Sequence, residues 1–238
     1  MGYSFFRRQF SQLDAIVAPG NPEDPIIIFL HGYGSDADNL TFFPTACPFK
    51  NIRPTWVFPR GLEQLHSFAG GRAWFPLDES LFQNLISNPD ITPETEHQYQ
   101  VLFNLDFSRP RLALESLISD LNRPRHDIII GGFSQGAMMT THLILSSKVP
   151  YCGALICSGA MILNKDWEEN ITICGKSPFI QSHGYRDSIL PYYHGEKLYS
   201  LLSSHLTGDF ISFHGGHEIP TAVLQKIQQT VPQWTKLP

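Results

Sequence analysis

The stretch that most constrains how this chain can fold is Gly131-Gly132-Phe133-Ser134-Gln135-Gly136-Ala137. Before it stands Asp127-Ile128-Ile129-Ile130, a short apolar run of β-branched residues that predicts a buried strand. After it, Ala-Met-Met-Thr-Thr-His-Leu-Ile-Leu predicts the start of a buried helix. Within the junction, Gly132-Phe133-Ser134-Gln135-Gly136 has the G-x-S-x-G form of a nucleophile elbow. A serine on so tight a turn sits in strained backbone geometry, and side chains two residues to either side would clash, hence the glycines. The hydroxyl then stands clear of the backbone at a helix N-terminus. There the dipole and free N–H groups favour developing negative charge. Taken alone, the pattern also fits an ordinary glycine-rich turn between a strand and a helix.

The flanking chain alternates as a parallel sheet requires. Residues 1 to about 24 suit a hairpin and then a turn-rich loop ending in Pro-Gly-Asn-Pro-Glu-Asp-Pro. Ile26–Leu30 is a continuous apolar run, expected of a strand covered on both faces, and Thr55–Pro59 is a second strand. Ser35 or Asp36 is placed to cap a short helix after the first. From Ser108, taken as N-cap, Leu112, Leu114, Leu117, Ile118 and Leu121 recur at roughly helical spacing, with Pro110 in the first turn. Strands follow at Tyr151–Cys157, Pro178–Ser182 and Asp209–Phe213, with helices at Tyr192–Leu206 and from about Pro220 to Trp234. The expectation is a single α/β domain over residues 1–238, with a mostly parallel central sheet and helices on both faces. Residues 76–107 resist this reading. Pro76, Pro89 and Pro93 break the periodicity among scattered Leu, Ile and Phe, which fits short helices, a lid or a satellite packing cluster.

A serine hydroxyl is a poor nucleophile near neutral pH and needs a general base in reach. Among ten histidines, His217 in His214-Gly215-Gly216-His217-Glu218-Ile219-Pro220 is the candidate, since a glycine-rich loop past the last strand can aim an imidazole at the strand ends. Asp187, in His183-Gly184-Tyr185-Arg186-Asp187 after the penultimate strand, is the candidate to orient that ring. The order Ser134…Asp187…His217 is that of an α/β-hydrolase triad, and all three loops leave the carboxyl ends of parallel strands. In such enzymes two main-chain N–H groups bind the oxyanion. Here they are those of Tyr33, in His31-Gly32-Tyr33-Gly34, and of Gln135, next to the nucleophile. Each element has a plainer alternative: a surface or capping histidine, an Asx-turn at Asp187, a glycine-rich turn with an incidental His31. The grouping His183, Asp187, His214 and His217 also suggests a metal cluster, but neither loop carries a zinc signature and the hydrolase order accounts for both without a cation. No metal or cofactor is expected.

Composition excludes several other classes. A net charge of −5 leaves no basic surface for nucleic acid. The longest purely apolar runs have about five residues, far below the ~20 that span a bilayer, and the N-terminus lacks a signal-peptide core. Cys47, Cys152, Cys157 and Cys174 have no metal-ligand spacing. Cys152 and Cys157, an odd number of residues apart on one apparent strand, are expected on opposite faces, so free thiols in a reducing cytoplasm are expected.

The stretches FLHGYGSDADNL, RAWF, GGFSQGA, HGYRDSILP and GGHEIP resemble the carboxylesterase/lysophospholipase family that includes the acyl-protein thioesterases, and they extend over nearly the whole chain. The resemblance implies a serine hydrolase of the α/β-hydrolase fold acting on small or lipid-like acyl esters. Ser134, Asp187 and His217 would be its triad, Tyr33 and Gln135 its oxyanion hole, and Trp74 would lie beside the acyl chain. Three features depart from the family. Pro76 stands where an Asp is usual, 76–107 looks longer than in compact members, and Ala137-Met138 replaces a smaller pair. A dienelactone-type hydrolase would normally carry Cys at position 134. A non-catalytic binding relative would usually lose a triad member.

Overall fold

The hairpin expected at the start is present in the computed structural model, which describes residues 2–65, 70–87, 92–162 and 165–235. Strands β1 (Phe6–Gln9) and β2 (Asp14–Ala18) pair antiparallel, and β2 continues antiparallel onto the sheet. Next come β3 (Ile26–Leu30), helix α1 (Phe43–Ala46) and β4 (Thr55–Pro59), then the short antiparallel pair β5 (Glu63–Gln64) and β6 (Arg72–Ala73). Helices α2 (Glu79–Ser87), α3 (Pro93–Leu102) and α4 (Ser108–Asp120) lead to β7 (Ile128–Phe133) and α5 (Gln135–Ser146). The chain then alternates through β8 (Gly153–Cys157), α6 (Lys165–Asn170), β9 (Phe179–Gly184), α7 (Tyr192–Ser203), β10 (Gly208–Phe213) and α8 (Thr221–Trp234). The eight-stranded sheet has the order β1-β2-β4-β3-β7-β8-β9-β10, parallel from β4 to β10.

Strand periodicity sorts the core. Successive side chains leave opposite faces of a strand, so Ile26, Ile28 and Leu30 join one apolar cluster while Ile27 and Phe29 join the other. In β7, Ile128 and Ile130 go with the first and Ile129 with the second. Helices α4, α5 and α7 cover the first face through Leu114, Leu117, Met139, Leu143, Leu198 and Leu202. The second face is closed by α1 and α8, through Phe43, Val223, Ile227, Val231 and Trp234. Both faces of the central strands are therefore buried, which is why those strands read as unbroken apolar runs.

Four local expectations need correction. Ser108 is the first helical residue of α4, not its cap; Phe107 holds that position without a side-chain bond, and Asp106 Oδ1 accepts the Ser108 N–H at 2.8 Å. Asp127 belongs to a short 3-10 turn ahead of β7 rather than to the strand. Cys152 precedes β8, so strand alternation does not govern it, and it packs in the same cluster as Cys157. All four cysteines are buried free thiols. Finally, Pro93 starts a helix instead of breaking one. It is the first residue of α3, and Thr92 caps that helix by accepting the Thr95 N–H at 3.1 Å. Pro89 lies outside the described residues. Leu85, Tyr99, Leu102, Phe103 and Phe107 from this segment join the first core cluster.

Candidate active site

The elbow is crowded by backbone of β3, β8 and α5. Ser134 has φ 57° and ψ −118°, a strained conformation for a residue with a side chain. A Cβ on Gly132 would lie 2.3 Å from the carbonyl carbon of Gly136, and one on Gly136 would lie 2.3 Å from the Leu30 carbonyl oxygen. The Ser134 N–H is spent on the Cys157 carbonyl at 2.9 Å, which anchors the turn to β8. Its own carbonyl accepts from Ala137 and Met138, starting α5. The serine thus sits at the N-terminus of a twelve-residue helix. The Gln135 N–H, first in that helix, has no acceptor among the described residues.

Across the sheet edge, Asp187 and His217 meet. Asp187 Oδ2 accepts from His217 Nδ1 at 2.7 Å, and Asp187 Oδ1 accepts the N–H groups of Ile189 at 2.9 Å and Leu190 at 2.8 Å. The predicted Asx-turn and the predicted ring partner are therefore one carboxylate used twice. The loops approach closely because of Gly184, where a Cβ would lie 2.3 Å from the Gly216 carbonyl oxygen. Burial by itself would raise the Asp187 carboxyl, but hydrogen bonds from His183, His217 and the Leu190 N–H hold it well below the ordinary 3.8. The carboxylate is ionised throughout the neutral range. Its contribution to stability is complete above pH 3.8 and is lost only as pH falls from there through the depressed value.

An ionised carboxylate only accepts, so His217 Nδ1 carries a proton, and in the neutral ring Nε2 is the acceptor. The ring is 15% exposed and leans on Phe133, with centroids 4.7 Å apart, beside Ser134 in sequence. Among the described residues no hydrogen bond joins Ser134 Oγ to His217 Nε2; such bonds are often long in unliganded enzymes and tighten with substrate. His214 is not drawn into the group; its ring lies 5.2 Å from that of Tyr185.

The loop after β3 reaches the same place. A Cβ on Gly32 would lie 3.2 Å from Ser134 Cβ, so the Gly32–Tyr33 turn borders Ser134. His31 is a structural residue of this loop. Its Nε2 accepts the Gly61 N–H at 2.9 Å and its Nδ1–H donates to the Gly32 carbonyl at 2.8 Å, and burial lowers its pKa, keeping it neutral. Asp36, one of two expected caps, caps the 3-10 turn Ala37–Leu40 and pairs with Arg60 through two oxygens.

Trp74 is buried beside the elbow. Its ring is 1% exposed and packs on His31, with the indole N–H donating to the His31 carbonyl at 2.8 Å. A tie that sequence reading missed explains the residue: Gln135 Oε1 accepts the Trp74 N–H and Gln135 Nε2 donates to the Phe75 carbonyl, both at 2.8 Å. Two buried bonds, worth about 1 kcal/mol net each, fasten the RAWF stretch to the elbow. Only the placement of Gln135 straight after a strand-turn serine hinted at this. A cavity of about 540 Å³ between Tyr3, Pro44 and Arg53 lies at the amino end of β4, and none of the candidate residues lines it.

Comparison with known proteins agrees with this architecture. The chain is 27% identical to acyl-protein thioesterase 1 of Candida albicans over 195 residues, covering 76% of this chain and 78% of that one. It is 22% identical to lysophospholipase-like protein 1 of Mus musculus over 231 residues, covering 94% and 91%. The crystal structure of esterase PE8 superposes with a TM-score of 0.73 at 21% identity, covering 98% of this chain and 99% of that one, which shows a shared α/β-hydrolase fold. The phospholipase/carboxylesterase family profile matches residues 11–235, and the chain belongs to that family.

Proposed function

We propose that Ser134, Asp187 and His217 form the catalytic triad of an esterase or thioesterase that passes through an acyl-enzyme. His217 Nε2 takes the Ser134 proton as Oγ attacks the acyl carbonyl, and Asp187 balances the charge that appears on the ring. The tetrahedral oxyanion lies against the N–H groups of Tyr33 and Gln135; stabilisation of this kind is typically worth about 10²–10³ in rate. His217 then delivers the proton to the leaving alcohol or thiol and activates the water that releases the acid. The observation that carries this reading is the strained backbone of Ser134, held between two glycines with no room for a side chain.

An apolar acyl group fits the surroundings. Phe82 of α2 meets the Tyr33 ring edge-on at 6.2 Å, and partly buried Ile189 follows the Asp187 turn. The names of the relatives, an acyl-protein thioesterase and a lysophospholipase-like protein, suggest acyl thioester or lysophospholipid substrates. No helix of the described residues is long and apolar enough to cross a membrane. The four unpaired thiols fit a reducing compartment such as the cytoplasm.

The test is hydrolysis of a p-nitrophenyl ester series from acetate to laurate by wild type and Ser134→Ala. The expected result is turnover in the wild type that vanishes in the variant, with a length profile that sizes the acyl site. A folded wild type inert toward every ester would sink the proposal in favour of a binding protein. We propose a lid role for the described part of residues 76–107 around Phe82, whose ring meets that of Tyr33, within one catalytic domain. Phe82→Ala should then alter chain-length preference more than acetate turnover, and equal losses at every length would exclude a lid.

A further inference from the structure

His183 is wholly buried at the end of β9, four residues before Asp187. Its Nε2 lies 2.7 Å from the Leu190 carbonyl oxygen and 3.3 Å from Asp187 Oδ2. A carbonyl only accepts, so the proton is on Nε2; that N–H bonds to the backbone oxygen and also stands close to the carboxylate. Nδ1 has no partner among the described residues. It faces the backbone of α7, where a Cβ on Gly195 would lie 2.5 Å away. The ring therefore has little freedom to turn. Its neighbours include Tyr192, at 5.9 Å between rings, and His194, both on α7.

The geometry points to His183 as a positioning residue for the acid–base pair, an inference that rests on the triad reading above. Through Leu190 it closes the turn that aims two backbone N–H groups at Asp187 Oδ1. Through its longer arm it shares Oδ2 with His217, so part of the carboxylate's charge is already engaged before the catalytic ring draws on it. Asp187 thereby accepts three hydrogen bonds, two on Oδ1 and one on Oδ2, and His183 Nε2 stands 3.3 Å from Oδ2 as a further electrostatic support. Without His183 the turn loosens and Oδ2 turns wholly to His217, becoming a stronger acceptor. Two effects follow. The orientation of His217 becomes less certain, and its protonated form gains stability, so the base is lost to protonation at higher pH.

The test compares His183→Gln, whose amide N–H can reach both oxygens, with His183→Leu, which has no donor. Thermal melts establish that each is folded, and His183→Asn, with an amide too short for both oxygens, replaces leucine if that variant fails to fold. Leucine should lower kcat for a p-nitrophenyl ester by about 10- to 100-fold, the scale of a small misplacement of reacting groups, with KM within about threefold. It should also move the acid limb of the kcat/KM profile to higher pH, and glutamine should restore most of both. A second readout does not need activity. The downfield proton resonance of His217 Nδ1–H, identified by its loss in Asp187→Asn, should shift in the leucine variant and return toward wild type in the glutamine variant. An unmoved acid limb and an unmoved resonance in His183→Leu would overturn the inference, as would equal behaviour of leucine and glutamine. Should the wild type hydrolyse no ester, the triad reading fails while the resonance still decides whether His183 positions the pair.

Discussion

Asp187→Asn should lower kcat toward p-nitrophenyl esters by about 10⁴ while the protein stays folded. The size follows from which way the new amide must face. Two backbone N–H groups, from Ile189 and Leu190, point at Oδ1, so asparagine keeps its oxygen there. Its NH₂ then occupies the Oδ2 position, 2.7 Å from His217 Nδ1. Donor cannot face donor, so His217 moves its proton to Nε2 and can no longer accept one from Ser134. Flipping the amide would rescue the tautomer only by opposing its NH₂ to two backbone donors, a worse exchange. In the kept orientation the NH₂ also lies near the His183 N–H, but that is one opposed fixed donor against the two backbone donors a flip would oppose. A kcat within tenfold of wild type would show that His217 does not depend on Asp187 for its tautomer, and the acid–base assignment would fall. ¹⁵N spectra of the imidazole, reading the protonated nitrogen directly, check the explanation independently of rate.

The second large effect is on stability. Gly136→Ala should lower the melting temperature by about 4–8 °C, corresponding to a net loss of about 2 kcal/mol in a chain of this length. Two effects oppose each other. Alanine is favoured over glycine inside a helix by about 1 kcal/mol, and Gly136 is the second residue of α5. Against that, the new methyl would lie 2.3 Å from the Leu30 carbonyl oxygen and 2.7 Å from that of His31, both backbone atoms of the central strand and its loop. Neither can swing aside as a side chain would, so α5 must lift from β3, and overpacking of that kind typically costs about 1–3 kcal/mol or more. The clash wins. Gly216→Ala is the control: its methyl would meet only the Arg186 carbonyl oxygen at 3.7 Å, ordinary contact, and its melting temperature should stay close to wild type. A Gly136→Ala protein that melts at or above wild type would mean that helix propensity, and not crowding at the elbow, decides that position.

Much of the fold was legible because its determinants are local. Ile26–Leu30 and Thr55–Pro59 form strands with the bounds read from sequence, since an apolar run between turn-forming residues states both element and length. The elbow was legible for the same reason: a tight turn at a serine excludes side chains two residues away, and only glycine satisfies that. The segment 76–107 was less so. Its prolines look like breaks, yet Thr92-Pro93 is a helix start, and reading Pro93 as the first helical position would have found α3. Ser108 misled in the opposite direction, because a good capping residue falls one position inside its helix and Asp106 takes the bond.

The sequence by itself determined the alternation of strands and helices, the glycines of the turn, and the order in which serine, aspartate and histidine leave the sheet. Backbone sterics and side-chain period act over a few residues, so they are written where they act. Only the tertiary structure decided that one oxygen of Asp187 faces two backbone donors and the other faces His217 and His183, that Gln135 holds the Trp74 loop, and that Trp74 is buried against His31. Most of these contacts join residues 30 to 61 positions apart. They exist because the register of parallel strands brings distant loops to one edge, and no local pattern of residues encodes that register.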